Sequence, residues 1–126
     1  MSPTVLYIED HPDNMTLVRR ILQSESYTLV EAKTGFQGIL FAETQDIDVI
    51  LLDVNLPDID GYEVARRLRA STKKDLTNIP IVALTANAMK GDAEKALNAG
   101  CNAYMSKPIS IQELLEKVRK LTHKEA

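Results

Sequence analysis

Short apolar runs alternate along the chain with longer stretches in which apolar residues recur every three or four positions. The first pattern predicts buried strands and the second amphipathic helices. Val5, Leu6, Tyr7 and Ile8 form the first run, which ends in Glu9 and Asp10. Asp13 and Asn14 are placed to cap a helix whose apolar positions are Met15, Leu17, Val18, Ile21 and Leu22. A second strand is expected over 28–30. Thr34 then caps a helix that carries Ile39, Leu40 and Ala42 to the core. The run 48–53 is the most apolar of all, and its four central residues, Val49, Ile50, Leu51 and Leu52, are large and aliphatic. A strand with no polar face is covered on both sides, so it belongs at the centre of a parallel sheet.

Turn chemistry follows at 55–61, and Asp60 or a neighbour starts a helix with Tyr62, Val64, Ala65 and Leu68 on its inner side. A fourth strand is predicted over 79–85, with Pro80 tolerable only near its start. An Ala-rich helix over 87–99 is closed by Gly100, a left-handed cap. A short fifth strand covers 103–107. Ser110 caps a last helix in which Ile111, Leu114, Leu115, Val118 and Leu121 recur at helical spacing. Five strands alternating with five helices predict an α/β fold, doubly wound, with a five-stranded parallel sheet, right-handed crossovers and helices on both faces. Ligands on such sheets sit outside the carboxyl ends of the strands, where the strand order reverses.

Length and composition narrow the class. The 126 residues, 44% apolar and 26% charged, suit a single globular domain over 1–126. A net charge of -3 gives no long-range attraction to nucleic acid or anionic lipid. One cysteine, Cys101, excludes an internal disulfide and a cysteine metal cage. The first residues do not read as a secretory signal, and no apolar run approaches the roughly 18 residues that cross a membrane. A cytoplasmic protein is expected. The chain reaches residue 126 just after the fifth helix, so no DNA-binding or enzymatic output domain is expected behind it.

The strand ends carry the chemistry. Glu9 and Asp10 end the first strand, Asp53 the third, Thr85 the fourth, and Lys107 and Pro108 the fifth. Three carboxylates within about 4 Å of one another cost about 4 kcal/mol per pair at an effective dielectric near 20. A hard divalent cation makes that tolerable. Mg²⁺ takes oxygen ligands, keeps several waters, and is commonly held by one or two carboxylates plus a phosphate oxygen. Lys107 can pair with phosphoryl oxygens or a carboxylate, and Thr85 can donate its hydroxyl to them. A carboxylate can itself be the nucleophile. Asp53, ending the central strand, is the candidate. Lys107–Pro108 is a candidate cis peptide, because only X–Pro bonds adopt cis cheaply.

These residues resemble the receiver domain of two-component response regulators. Glu9 and Asp10, Asp53, Thr85 and Ala86, and Lys107 and Pro108 match that family's motifs in order and spacing, over about residues 4–122. The stretches 85–92 and 99–109 are especially similar to free-standing receivers that regulate the cell cycle, and to receivers attached to hybrid histidine kinases. The resemblance implies a flavodoxin-like strand order 2-1-3-4-5. It implies that Asp53 takes a phosphoryl group from a phosphohistidine on a sensor histidine kinase or a histidine phosphotransfer protein. Mg²⁺, with Mn²⁺ as a substitute, would be held by Asp10, Asp53 and the backbone carbonyl of Asn55, with Glu9 reaching it directly or through water. Lys107 would contact the phosphoryl group, Thr85 would swing towards it, and Tyr104 would move from outward to buried. The face of helix four, strand five and helix five would then change shape and bind an output protein, a kinase among the candidates. Water would later hydrolyse the acyl phosphate, with Asn55 and Asn87 influencing access, so the chain catalyses only its own phosphorylation and dephosphorylation.

Other readings stand beside this one. The same chemistry serves a phosphorelay intermediate that passes phosphate to a phosphotransfer protein. A phosphatase of the haloacid-dehalogenase type would need a second Asp two residues after the nucleophile, where Asn55 stands. A flavin carrier would need a Ser/Thr/Gly-rich loop after strand one, where the residues from Glu9 to Asp13 bring negative charge. Residue by residue, plainer roles are open too. Tyr104 can be ordinary core, His11 a solvated loop residue, Cys101 a small and partly buried one. Arg66, Arg67 and Arg69 read as a solvated helix face beside Glu63. Met89 and Met105 suit either a docking surface or the core. His123, in the tail, is assigned no role.

Overall fold

Val49–Asp53 forms β3, every residue of which is buried, and it lies in the middle of the sheet as its composition requires. We describe residues 2–86 and 91–122 of a computed structural model. Their elements run β1 Thr4–Ile8, α1 Pro12–Ser24, β2 Thr28–Ala32, α2 Gly35–Thr44, β3, α3 Gly61–Arg69, a 3₁₀ turn Lys74–Thr77, β4 Ile81–Thr85, α4 Asp92–Ala99, β5 Ala103–Ser106 and α5 Ile111–Thr122. All pairings are parallel, in the order β2-β1-β3-β4-β5. The doubly wound α/β fold with strand order 2-1-3-4-5 is therefore present. Of the helix expected over 87–99, residues 87–90, which include Asn87 and Met89, lie outside the described residues, as does His123.

Alternation along the strands builds two cores. Val5, Tyr7, Val49, Leu51, Val82 and Leu84 pack against Met15, Val18 and Leu22 of α1 and Leu114 and Val118 of α5. Leu6, Ile8, Ile50, Leu52, Ile81 and Ala83 pack against Ala42, Val64, Ala65, Leu68, Ala96 and Ala99 of the other three helices. Met105 belongs to the first core, which settles its role as packing.

Several local expectations are corrected. Asp13 and Asn14 do not cap α1. The helix starts at Pro12 with His11 at the N-cap, because proline's fixed φ suits a first helical position and its missing N–H costs nothing there. Leu40 faces outward and is 55% exposed. The inner stripe of α2 is Gly35, Gly38 and Ala42, with Gly38 seated directly on Ile8 and Gly35 against Ile59 and Val64. Leu17 and Ile111 also lie on outer surfaces. The expected caps by Thr34 and Ser110 form, to Gln37 N at 3.0 Å and Glu113 N at 3.2 Å. Gly100 closes α4 at φ 107°.

Arg66 and Arg67 are solvated and share Glu63. Arg69 is not, and corrects the expectation of a uniformly solvated face. Its Nε, Nη1 and Nη2 donate to the carbonyls of Gly100 and Leu76 and to Asn102 Oδ1, each at 2.9 Å. Burial lowers its pKa from the usual arginine value. The planar fork clamps α3 to the 3₁₀ turn before β4 and to the connection between α4 and β5. Arg69→Leu is expected to cost about 2 kcal/mol, read as a lower urea midpoint with unchanged slope. An unchanged midpoint would show that the clamp is replaceable by solvent.

Gly61 sets where β3 ends against α3. A Cβ there would lie 2.5 Å from the Asp53 carbonyl oxygen and 2.5 Å from Val54 Cα, both main-chain atoms. Backbone cannot step aside as a side chain can. Gly61→Ala is expected to destabilise by about 1–3 kcal/mol, measurable as a fall in Tm; a Tm equal to that of the parent would mean that strand and helix separate freely.

Candidate functional site

The carboxyl edge of the sheet gathers the candidate residues. Asp53 is the last residue of β3 and is 2% exposed; Glu9 follows β1 and is 1% exposed. Asp10 stands at the solvent rim. The three offer carboxylate oxygens that all lie within 4.8 Å of one another. Lys107 follows β5, anchored by its N–H on the Thr85 carbonyl at 2.8 Å. Its Nζ lies 3.0 Å from Asp53 Oδ1 and 3.3 Å from Glu9 Oε1. The Lys107–Pro108 peptide is cis. Asn55, exposed, donates its backbone N–H to Asp53 Oδ1 at 3.0 Å.

Glu9 is held on both oxygens. Tyr7 Oη donates to Oε1 at 2.8 Å and the His11 backbone N–H to Oε2 at 3.2 Å, while Asn14 Nδ2 approaches Oε1 at 3.5 Å. The sequence alone does not mark Tyr7 as a site residue, although its register carries the signal. Positions i and i+2 of a strand share a face, so Tyr7 and Glu9 must. Asn14, expected as a helix cap, instead turns to this carboxylate.

Electrostatics follow from this geometry. Burial, reinforced by the hydrogen bond with Glu9, pushes Asp53 up to about 6, against the opposing pull of the Asn55 N–H and Lys107. Glu9 moves the other way. Burial opposes its ionisation, but hydrogen bonds from Asp53 and Tyr7, the Lys107 charge and the His11 N–H outweigh it and leave Glu9 below the usual carboxylate range. Below about pH 6 the pair therefore holds one proton, on Asp53. Burial and the Glu9 carboxylate also push the Tyr7 hydroxyl up, so it stays a donor. Cys101, buried and raised to about 11 by that burial, is an inert thiol.

Thr85 ends β4 beside this cluster, is 3% exposed, and donates its hydroxyl to Asp92 Oδ2 at 3.1 Å. Ala86 follows it at the surface. Tyr104 pairs with Ala83, two residues along β4 from Thr85, and is 38% exposed, which overturns the reading of this ring as ordinary core. An open cleft of about 490 Å³, lined by Asp10, Asn55, Pro57, Asp60 and Tyr62 among others, adjoins the cluster at Asp10. The donor set is all oxygen, with two deep carboxylates and one at the rim. It fits a hard cation of Mg²⁺ type.

Fold and site together define a doubly wound α/β module with a lysine-flanked acidic site at the carboxyl edge of its sheet. The chain belongs to the response regulator receiver domain family, which it matches over residues 5–119, and so to two-component signalling. It is similar to the polar-differentiation response regulator DivK of Brucella ovis, 36% identical over 119 residues that cover 94% of this chain and 95% of that protein. It is also similar to the crystal structure of the receiver domain of sensor histidine kinase PA1611 from Pseudomonas aeruginosa, which has a magnesium ion coordinated in its active site cleft. That likeness has a TM-score of 0.88 and 38% identity, and covers 97% and 98% of the two chains. A third likeness is to the receiver domain of the Saccharomyces cerevisiae response regulator Ssk1, solved with the histidine phosphotransfer protein Ypd1. There the TM-score is 0.89 and the identity 28%, over 96% of this chain and 89% of that one. Among the described residues no helix is long and apolar enough to cross a membrane.

Proposed function

We propose that this chain is a single-domain, cytoplasmic receiver switch whose phosphoacceptor is Asp53. The observation that carries the reading is the buried Asp53 carboxylate, held at once by Lys107 Nζ and the Asn55 N–H and flanked by Glu9 and Asp10. A sensor histidine kinase or a histidine phosphotransfer protein presents a phosphohistidine at the cleft. A carboxylate oxygen of Asp53 attacks phosphorus. The O–P bond forms as the P–N bond breaks, and the imidazole nitrogen keeps the electron pair. Lys107 exchanges part of its contact with Asp53 for a phosphoryl oxygen. Asp10, Asp53 and the Asn55 carbonyl would hold Mg²⁺, with Glu9 directly or through water. The ion supplies charge neutralisation for carboxylates and phosphoryl oxygens alike. Once Asp53 is acylated, Thr85 turns to the phosphoryl group, Tyr104 turns inward, and the α4–β5–α5 face changes its affinity for an output protein.

A phosphorelay intermediate uses the same site and differs only in where the phosphoryl group goes next. Transfer from the phosphorylated chain to a histidine phosphotransfer protein separates the two.

The test is chemical. The protein is incubated with acetyl phosphate and Mg²⁺, and the adduct is reduced with borohydride. Peptide mass spectrometry is expected to find homoserine at position 53, and no adduct when Mg²⁺ is chelated. A product at any other position sinks the assignment.

A further inference from the structure

One hydrogen bond joins the site to the helix that opens the partner face. Thr85 Oγ1, at the buried end of β4, donates to Oδ2 of Asp92, the first residue of α4. A carboxylate at that place is favoured by the helix dipole, which makes it a good acceptor for the hydroxyl. A hydroxyl has a single proton to give. Donation to a phosphoryl oxygen on Asp53 therefore competes with donation to Asp92. Both cannot be made in full.

We propose that Asp92 is a latch. It holds the Thr85 hydroxyl on α4 while Asp53 is unmodified, and it is released when the phosphoryl group claims that proton. The inference rests on the roles given to Asp53 and Thr85 above and adds a residue and a route to them. Each state has its own acceptor, so the same proton reports modification of Asp53 to the first turn of α4. The latch is a tax on the activated state, since the bond to Asp92 is surrendered on activation. Asp92 stands apart from the acidic group of Glu9, Asp10 and Asp53. It is a positioning residue that acts through Thr85.

The readout is the affinity of the full chain for beryllofluoride with Mg²⁺, followed by ¹⁹F NMR, with Mg²⁺ affinity alone as control. Asp92→Ala is expected to tighten beryllofluoride binding about five-fold, the lower end of typical coupling between sites. Mg²⁺ affinity should stay within about two-fold. Asp92→Asn keeps an oxygen acceptor and should lie between the parent and the alanine variant. Asp92→Ser carries the same expectation as alanine should the latter not fold. In a Thr85→Ala background the gain should vanish, because the latch has no proton to hold. Unchanged or weaker binding by Asp92→Ala, or an equal gain without Thr85, overturns the latch. If the parent chain itself fails to bind beryllofluoride, the assignment of Asp53 fails, and the latch with it.

Discussion

Asp53→Asn is expected to lose all labelling by a phosphohistidine donor or by acetyl phosphate. The substitution keeps size and shape and removes the carboxylate nucleophile, and no neighbour can take its place. Glu9 is 1% exposed, with its oxygens held by Tyr7 and the His11 N–H. Asp10 lies at the exposed rim, and the ion pairs of Lys107 go to Asp53 and Glu9. An acyl phosphate is labile to hydroxylamine, so the label on the parent protein is checked by its release. Label retained at full stoichiometry by Asp53→Asn would place the nucleophile elsewhere.

The second large effect is on stability. Asp53 keeps its proton to about 6 in the folded chain, against an ordinary value of 3.8. A carboxyl group whose folded pKa is raised stabilises the fold fully below its unfolded pKa and loses that contribution as pH rises through the folded one. Between about pH 4 and 7 the loss amounts to as much as about 3 kcal/mol. Glu9, lowered, behaves in the opposite sense: its contribution is present at higher pH and lost as pH falls. The metal-free protein is therefore expected to be most stable near about pH 5 and weaker by pH 7.5. Added Mg²⁺ recovers the deficit at pH 7.5 by mass action and does little at pH 5, where Asp53 is protonated. Asp53→Asn removes the alkaline decline, because the buried pair can no longer carry two charges. Urea unfolding with chelator and with Mg²⁺, at both pH values, reads all of this. A chelated protein that gains stability from pH 5 to 7.5 contradicts the shared proton.

What could be read from sequence was what local pattern determines. The unbroken apolar run of β3, the helical spacing in α5 and the caps at Thr34 and Ser110 each depend on residues a few positions apart. The site's carboxylates and Lys107 were legible for a related reason, since each ends a strand and parallel strands bring those ends to one edge. What escaped depends on tertiary partners. Arg69 resembles its neighbours Arg66 and Arg67, and only its acceptors on Leu76, Gly100 and Asn102, farther along the chain, turn it inward. Leu40 has a core residue's chemistry, yet the fit of Gly38 on Ile8 and of Gly35 on Ile59 and Val64 decides which side of α2 faces the core. Asp92 falls inside the helix expected over 87–99 and is given no role by the sequence, because its bond to Thr85 requires knowing how α4 returns onto β4.

The loop after β3 is fastened at a distance. The carboxylate of Asp58 accepts from the backbone N–H groups of Gly35 and Phe36 at 2.8 and 2.9 Å, so a side chain of this loop completes the first turn of α2. The β3–α3 loop is thus no independent cassette. A chimaera that transplants it from another protein without a matching acceptor for those two amides would leave the opening of α2 unsealed, and engineering of the Asn55 side of the cleft has to carry both segments together.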